Sequence, residues 1–296
     1  MKFSPEALLS QLDLPAATQR VVVAYSGGLD STVLLHALAR LGEQLPGPLV
    51  ALHIDHSLQA DSPRWAEHCR EVALSLGVDF SLLKILVDPA PGASVEAAAR
   101  DGRYAAFAEF LEKGDVLLTA QHADDQAETF LLQALRGAGV AGLAAMPRER
   151  ELGAAMHLRP LLDWTRVELE AWAVGQELDW LDDPSNADDR FDRNFLRNRV
   201  LPELRERFPG MAATLSRSAG HCADASEILA EEAAQMLVTS GGREGFLPLA
   251  ALESLSTARQ RLLLRHWLAE NGVPALSDAQ LAEALAMLEM RPDAEP

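Results

Sequence analysis

The sequence predicts an α/β protein with a doubly wound parallel sheet, followed by a small, mainly helical domain. Apolar, β-branched runs alternate with amphipathic helical segments over the first two-thirds of the chain. Repeated β-α units of this kind favour parallel strands with helices on both faces. Beyond residue 208 the strand signal fades and helical periodicity dominates. We therefore expect two domains, at 1–208 and 209–296.

Strands and helices are predicted to alternate in the first domain. The predicted strands cover 21–25, 49–54, 79–87, 115–121 and 156–161. The predicted helices cover 30–41, 62–76, 94–113 and 123–136, and glycines such as Gly77 and Gly137 end two of them. Ligands of doubly wound sheets bind beyond the carboxyl ends of the strands, so the residues that follow each strand are the candidate site residues.

The second domain is predicted to hold three amphipathic helices, at 211–238, 256–271 and 277–290. One short strand is predicted at 244–247. The polar tail at 291–296 is expected to be frayed.

Composition indicates a soluble globular protein of the reducing cytoplasm. The two cysteines, Cys69 and Cys222, form neither a disulfide framework nor a zinc set. No apolar run is long enough for a membrane span, and the N-terminus lacks a signal-peptide core. The net charge of −18 disfavours a nucleic-acid partner unless arginines cluster locally.

The turn between the first strand and the first helix is the most informative segment. Its two glycines can adopt φ > 0 and allow a phosphate to approach the backbone closely, and the helix N-terminus favours an anion. An aspartate beside a polyphosphate would repel it unless a divalent cation such as Mg²⁺ lies between them. The segment therefore predicts a nucleotide site with Mg²⁺, and it is neither a Walker loop nor a Gly-x-Gly-x-x-Gly loop. The loop residues are Ser26, Gly27, Gly28, Leu29, Asp30 and Ser31.

Two further strand ends carry polar residues that should meet this loop at one edge of the sheet. His53 ends the second strand, and His122 follows the fourth. Asp124, Asp125 and Glu128 come next, spaced to share one face of a helix. Grouped acids of this kind hold a cation or an amine, although capping and dipole compensation alone would account for the first two.

A local cluster of arginines is an exception to the negative net charge of the chain. Arg193 and Arg197 are spaced to lie on one helical face, and arginine forks bind phosphate or carboxylate. The alternative is a solvated helix that pairs with nearby aspartates. The other arginines of this segment are Arg190, Arg199, Arg205 and Arg207.

The ordered set of motifs resembles the tRNA(Ile)-lysidine synthetases of the N-type ATP pyrophosphatase (PP-loop) superfamily, over roughly residues 18–210. The resemblance rests on 26–31, 53–56, 96–104, 122–129, 159–162 and 183–199. It implies an adenine-nucleotide alpha hydrolase-like fold. It also implies an enzyme that adenylylates the wobble cytidine of a CAU-anticodon tRNA(Ile) with ATP. The ε-amine of L-lysine then attacks C2, giving lysidine, AMP and pyrophosphate.

The same resemblance implies roles for single residues. ATP and pyrophosphate would lie on 26–31, with the adenosine near His53 and with His122 among the ATP-binding residues. Asp30 and Asp124 are the predicted metal ligands, and Asp125 and Glu128 would hold the lysine amine. Arg193 or Arg197 would take the lysine carboxylate or the tRNA backbone. The predicted catalytic residues are Asp30, Asp125, Glu128, Arg193 and Arg197, and the predicted tRNA-binding residues are Arg193, Arg197, Arg199, Arg205 and Arg207.

The stretch at 94–104 is less distinctive. Ser94 is predicted to cap its helix, with Glu96 in the first turn, while Arg100 and Arg103 are expected to form surface ion pairs.

The alternatives are a tRNA-thiolating enzyme, an amidotransferase subunit and a non-catalytic nucleotide sensor. The cysteines lie outside the motifs, no glutaminase half is present, and a sensor has no use for the grouped acids. Many members of the family carry a further C-terminal domain that helps to read the tRNA. We therefore expect this chain to be a short or shortened form of such an enzyme. The assembly that we consider for it is a homodimer.

Overall fold

The computed structural model describes residues 2–56, 62–86 and 95–289. It separates into two compact units, Met1–Gly220 and His221–Pro296. The first unit contains a six-stranded sheet with the strand order β3-β2-β1-β4-β6-β5. All neighbouring strands are parallel except β5 and β6. The strands are β1 Arg20–Ala24, β2 Leu49–Asp55, β3 Asp79–Lys84, β4 Asp115–Leu118, β5 Glu149–Leu152 and β6 Ala155–Leu158.

The predicted doubly wound fold is confirmed, and helices cover both faces of the sheet. The nine helices described in the first unit are α1 Pro5–Leu9, α2 Leu29–Leu41, α3 Ser62–Ser75, α4 Val95–Phe110, α5 Ala123–Leu135, α6 Val140–Leu143, α7 Arg166–Gly175, α8 Asp192–Phe195 and α9 Leu201–Arg207. Short 3₁₀ turns cover Gly42–Gln44 and Pro184–Ala187. A π-helical turn, Leu196–Val200, joins α8 to α9.

The apolar strands form because each is covered on both sides. Val21, Val22 and Val23 of β1 are fully buried, and their side chains alternate between two apolar clusters. One cluster packs against α1, α2, α3 and α7, and the other packs against α4. This arrangement explains why the central strands are continuous β-branched runs without polar alternation.

The structure adds elements that the sequence pattern did not predict. β5 is an exposed strand that returns to β6 through a turn at Gly153, where φ is +60°. β5 was not predicted because its first three residues are charged. An edge strand does not need the apolar run by which the other strands were predicted. α7 was also not predicted. The predicted Ser94 cap and the tail at 291–296 lie outside the described residues.

The second unit is helical, as expected. Its helices are the later part of α10 Met211–Thr239, then α11 Leu249–Glu253, α12 Thr257–Glu270 and α13 Asp278–Glu289. Leu237, Leu252 and Leu263 form its small core. The predicted strand at 244–247 is wrong: Arg243 and Phe246 form only an isolated bridge around Gly245.

The predicted boundary at residue 208 precedes α10, whereas the division into compact units falls inside that helix. No helix in the described part of the chain is long and apolar enough to cross a membrane.

Candidate active site

The glycine turn after β1 is shaped by its contact with α3. Gly27 has a φ of +83°, and a Cβ at this position would lie 2.8 Å from Sγ of Cys69. Both facts require glycine. Gly28 does not have the positive φ that was predicted for it: its φ is −77°, which any residue adopts. A Cβ at this position would have its nearest neighbour 3.6 Å away. A methyl group could therefore be accommodated at Gly28 in ordinary van der Waals contact.

The two serines close the turn on itself. The hydroxyls of Ser26 and Ser31 lie 3.0 Å apart, and Ser31 Oγ donates to the carbonyl oxygen of Gly28. The N–H of Ser26 donates to Ser31 Oγ at 3.2 Å. Gly28 is the N-cap residue of α2 and supplies no side-chain cap. The positive end of α2 is thus kept for an anion rather than for a protein side chain.

Asp30 is the acid of this loop and has an unused oxygen. Its Oδ1 is buried and has no hydrogen-bond partner among the described residues. Its Oδ2 lies 3.5 Å from Nε2 of His122. A buried carboxylate oxygen without a donor is costly, and a hard divalent cation would satisfy it. The residue present here therefore fits the predicted Mg²⁺.

His122 places its imidazole among three carboxylates. Its Nε2 lies 3.4 Å from Asp125 Oδ2, and its Nδ1 lies 3.7 Å from Asp124 Oδ2. Burial disfavours the charged imidazole, but Asp125, Asp30 and Asp124 outweigh that effect and raise the pKa of His122 to about 9. The imidazolium thus joins the phosphate loop to the first turn of α5.

Both carboxylate oxygens of Asp124 already accept hydrogen bonds from protein groups. Its Oδ1 accepts a hydrogen bond from the Arg205 guanidinium, and its Oδ2 accepts one from the N–H of Arg166 at 2.7 Å. The Asp124 side chain is buried. Its predicted role as a metal ligand therefore loses support, because both of its oxygens bind protein donors, and Asp30 is the stronger candidate.

Glu128 is the most buried of the grouped acids and binds two arginines. Its side chain is 1% exposed, and it accepts hydrogen bonds from Nε of Arg193 at 2.9 Å and from Nε of Arg197 at 2.7 Å. A second nitrogen of Arg197 donates to Asp125 Oδ1 at 2.7 Å. Burial would raise the pKa of Asp125, but His122, Arg193 and Arg197 outweigh it and hold the pKa below its usual value. The predicted acids and arginines thus form one cluster.

The remaining arginines of the segment are mostly paired as well. Arg190 binds Asp188, and Arg199 binds Asp189 at 2.7 Å. Arg207 lies over the ring of Phe208. The predicted basic strip therefore consists mostly of ion-paired arginines rather than a bare positive surface.

His53 links the ends of β1 and β2. Its Nδ1 lies 2.8 Å from the carbonyl oxygen of Tyr25, and burial lowers the pKa of the ring. A neutral, buried imidazole at this strand end is compatible with the predicted adenosine neighbour but does not itself identify one.

Two polar residues at this edge were given no role by sequence reasoning: His157 was not singled out, and Arg159 was named only as part of the segment 159–162. His157 of β6 lies 2.8 Å from Thr119 Oγ1, accepts a hydrogen bond from Nε of Arg150, and is fully buried. Arg159 follows β6, is 4% exposed, and donates to the Pro147 carbonyl oxygen. The signal that could have found them is a polar residue inside an apolar strand.

Comparison with known families matches residues 4–204 to the PP-loop domain and residues 247–296 to the TilS substrate binding domain. The curated tRNA(Ile)-lysidine synthase of Pseudomonas syringae pv. tomato is 51% identical over 273 residues, which cover 90% of this chain and 61% of that protein. The corresponding protein of Alkalilimnicola ehrlichii is 46% identical over 287 residues, covering 97% of this chain and 64% of that protein. The chain therefore spans less than two-thirds of the length of these relatives.

Among solved structures, the U34-tRNA thiolase NcsA from Methanococcus maripaludis, with its [4Fe-4S] cluster, matches with a TM-score of 0.61. The match covers 73% of this chain and 76% of that protein, at 14% identity. Identity this low shows a shared fold alone.

Proposed function

This chain belongs to the PP-loop family, and we propose that it uses ATP to ligate L-lysine to C2 of the wobble cytidine of CAU-anticodon tRNA(Ile). The products are lysidine, AMP and pyrophosphate. The identity to tRNA(Ile)-lysidine synthases over most of this chain supports the assignment. We also propose a cytoplasmic location, because the proposed substrate is a tRNA, and a homodimer stays a prediction.

One observation carries the proposal: His122 joins Asp30 of the phosphate loop to Asp125 of the acid cluster, at 3.5 and 3.4 Å. A ligase that passes through an adenylate needs its nucleotide α-phosphate and its amine acceptor at one place. The acids that attract an ammonium group lie directly beside the loop that would hold the phosphates. A nucleotide sensor has no need for this arrangement.

In the first step, the carbonyl oxygen of the cytidine attacks the α-phosphorus of ATP, and pyrophosphate leaves. The N-terminus of α2 and the hydroxyls of Ser26 and Ser31 would bind the phosphate oxygens. Asp30 would hold Mg²⁺, and the ion, when bound, would neutralise negative charge on the pyrophosphate. The His122 imidazolium would add a fixed positive charge beside the same group.

In the second step, the lysine ε-ammonium would pass a proton to a carboxylate of the cluster, Asp125 or Glu128, and the resulting amine attacks C2 and expels AMP. Asp125 and Glu128 would bind the lysine in place of an arginine contact, and the released guanidinium of Arg193 or Arg197 would bind the lysine carboxylate or the tRNA backbone. Free lysine carries two ammonium groups and one carboxylate, so it supplies partners both for the acids and for the released guanidinium. Such an exchange avoids the cost of an unpaired buried charge.

A sulfur-transfer function is disfavoured by the state of Cys69. Burial raises the pKa of this thiol to about 12, so it is not a thiolate at neutral pH. Cys69 packs against Gly27, where it supports the loop.

The test is the dependence of AMP and pyrophosphate release on the two acceptor substrates. We expect pyrophosphate release to need the CAU-anticodon tRNA(Ile), and AMP release to need that tRNA and L-lysine together, with lysidine in the recovered tRNA. Release that needs neither substrate, or an unmodified tRNA after stoichiometric AMP formation, would contradict the proposal.

A further inference from the structure

A chain of hydrogen bonds crosses from β5 through β6 and β4 to Gln121, the residue before His122. Nε of Arg150 donates to Nδ1 of His157 at 3.1 Å, and Nε2 of His157 lies 2.8 Å from Oγ1 of Thr119. Oγ1 of Thr119 in turn donates to Oε1 of Gln121. His157 and Thr119 are both buried, so solvent does not compete for these contacts.

The direction of each hydrogen bond in this chain follows from its first member. The guanidinium group of Arg150 can only donate, so Nδ1 of His157 has to accept and carries no hydrogen. The imidazole hydrogen is then on Nε2, which donates to the hydroxyl of Thr119. That hydroxyl still has its own hydrogen to donate, and only the oxygen of the Gln121 amide can accept it. The amide is therefore held with Oε1 toward the buried chain and with its NH₂ group away from Thr119.

The amide nitrogen of Gln121 is a donor that the protein leaves accessible. Nε2 makes no hydrogen bond to any residue that the structure describes, and it is not one of the enclosed polar atoms. The side chain of Gln121 is only partly buried. A ligand can therefore reach this nitrogen, whose orientation the buried chain has already fixed.

Gln121 lies at the edge of the sheet where the nucleotide site is proposed. The next residue, His122, is the N-cap of α5, and its imidazole lies 3.5 Å from Oδ2 of Asp30 in the phosphate loop. β4 pairs in parallel with β1, so the carboxyl ends of these two strands are neighbours. Ligands of such sheets bind beyond those ends. The fixed donor of Gln121 thus belongs to the surface that faces the reactants.

Among the reactants of the proposed function, the cytosine base fits a neutral donor best. The N-terminus of α2 and the serine hydroxyls already favour the phosphates, and a lysine ammonium group needs acceptors. Cytosine has acceptors at O2 and N3, and O2 is the atom that attacks ATP in the proposed first step. N3 is an acceptor in cytosine, whereas the same position of uracil carries a hydrogen. A fixed N–H donor therefore accepts one base and rejects the other.

We propose that Gln121 recognises the wobble cytidine by donating a hydrogen bond from Nε2 to N3 of the base, and that Arg150, His157 and Thr119 are positioning residues which prevent the amide from turning over. This proposal rests on the function proposed above, since it names the contact that selects cytidine in that reaction. An inverted amide would present Oε1 to the lone pair of N3 and repel it. The orientation of the amide therefore determines the specificity.

The experiment removes the donor from the protein and the acceptor from the base, separately and together. Gln121→Met keeps the length of the side chain without a donor. In CAU-anticodon tRNA(Ile), 3-deazacytidine at the wobble position replaces N3 by a C–H group. The measurement is kcat/KM for pyrophosphate release by the full chain with each tRNA. The base change alters the reactivity of O2 equally for both proteins, so the comparison between them isolates the contact.

Two further variants and a control complete the set. Thr119→Val removes the hydroxyl that holds the amide, whereas Thr119→Ser keeps it. Gln44→Met, at an exposed position of the 3₁₀ turn after α2, is the matched control.

We expect Gln121→Met to lower kcat/KM on the natural tRNA about tenfold, as for the loss of one hydrogen bond. On the 3-deazacytidine tRNA, Gln121→Met and the parent should be equal, because the contact is absent from both. Thr119→Val should show the same pattern as Gln121→Met, and Thr119→Ser and Gln44→Met should behave as the parent does.

A tenfold loss by Gln121→Met on both tRNAs would overturn the proposal, since it would indicate packing rather than a contact with N3. Unchanged kcat/KM of Gln121→Met on the natural tRNA would overturn it as well. A parent protein that releases no pyrophosphate with the natural tRNA would contradict the proposed function itself, and the role of Gln121 in it would fall too.

Discussion

Nε2 of His122 lies 3.5 Å from Oδ2 of Asp30, and this contact joins the second motif of the chain to the first. The two residues stand 92 positions apart (122 minus 30) and follow different strands, β4 and β1, which are neighbours in the sheet. Parallel pairing of these strands brings their carboxyl ends together. A nucleotide loop and an acid cluster thereby become one site.

The first prediction concerns Asp30. Asp30→Asn should fold but lose AMP formation by several factors of ten, because a neutral amide is a poor ligand for a divalent cation beside the phosphates. Each factor of ten in rate corresponds to about 1.4 kcal/mol. The measurement is lysine- and tRNA-dependent AMP release, with the exposed Asp13→Asn as the control. Near-normal turnover in Asp30→Asn would remove the metal assignment.

The second prediction concerns the acids proposed to bind lysine. Asp125→Asn and Glu128→Gln should raise the KM for lysine more than the KM for ATP, because an amide loses most of its attraction for an ammonium group. Glu128→Gln should also lower stability, since it removes the buried negative charge that pairs with Arg193 and Arg197. Steady-state kinetics with each substrate varied in turn would measure this. A raised KM for ATP with an unchanged KM for lysine would make these residues metal ligands instead.

The third prediction concerns the tRNA. Charge reversal at Arg197 and Arg205 is not a clean test, because both bind buried carboxylates and a new glutamate there would face Glu128 or Asp124. Arg199 is 70% exposed, and Arg207 lies on the ring of Phe208. Arg199→Glu with Arg207→Glu should therefore weaken tRNA binding and reduce its salt dependence, while ATP binding is retained.

The control for that prediction is a double reversal of equal charge elsewhere. Arg70→Glu with Arg148→Glu changes two partly exposed arginines outside this segment. Filter binding of tRNA at about 0.1 M salt, where exposed charges still interact over roughly 10 Å, would compare the variants. Equal affinity of both double variants would refute the role of the arginine segment.

The fourth prediction separates the two loop glycines. Gly27→Ala should destabilise the fold, because its φ of +83° is strained for alanine and its Cβ would meet Cys69 Sγ at 2.8 Å. Gly28→Ala should leave the thermal midpoint nearly unchanged, since its backbone is extended, and should weaken ATP binding because the added methyl group occupies ligand space. Thermal unfolding and ATP titration of both variants would show whether the two effects separate as expected.

The fifth prediction concerns the buried His157. Burial lowers the pKa of this ring to about 3, and Arg159 and Arg150 act in the same direction. The unfolded chain takes up a proton near pH 6.5, whereas the folded protein does not. His157 therefore lowers the free energy of unfolding by about 1.4 kcal/mol for each pH unit below 6.5. This loss continues until the pH reaches the pKa that the ring has in the folded protein.

His157→Gln should remove this part of the acid sensitivity. Urea unfolding at pH 7 and pH 5 should show a smaller loss of stability in the variant than in the parent. His221→Gln, at an exposed position of α10, should behave as the parent does. An equal loss in parent and His157→Gln would indicate that the ring is protonated in the folded state.

The fold class and the residues that gather at the site could be predicted from the amino-acid sequence. Continuous β-branched runs predict strands buried on both faces, and the run 21–23 is fully buried in the structure. The turn at 26–31 and the acids at 124–128 were found because each begins a helix directly after a strand. Local patterns of this kind record backbone conformation and burial, which the sequence of one segment largely specifies.

The pairing of the charged residues could not be predicted from the sequence, because it depends on how the elements pack. Glu128 and Arg193 are 65 residues apart, and no local pattern indicates that Arg193, Arg197 and Arg205 bind the acids of α5. The same is true of Asp124, whose oxygens the fold gives to Arg205 and Arg166. Electrostatic partners depend on distance in space and on burial, and those two quantities are set by the packing of elements far apart in the chain.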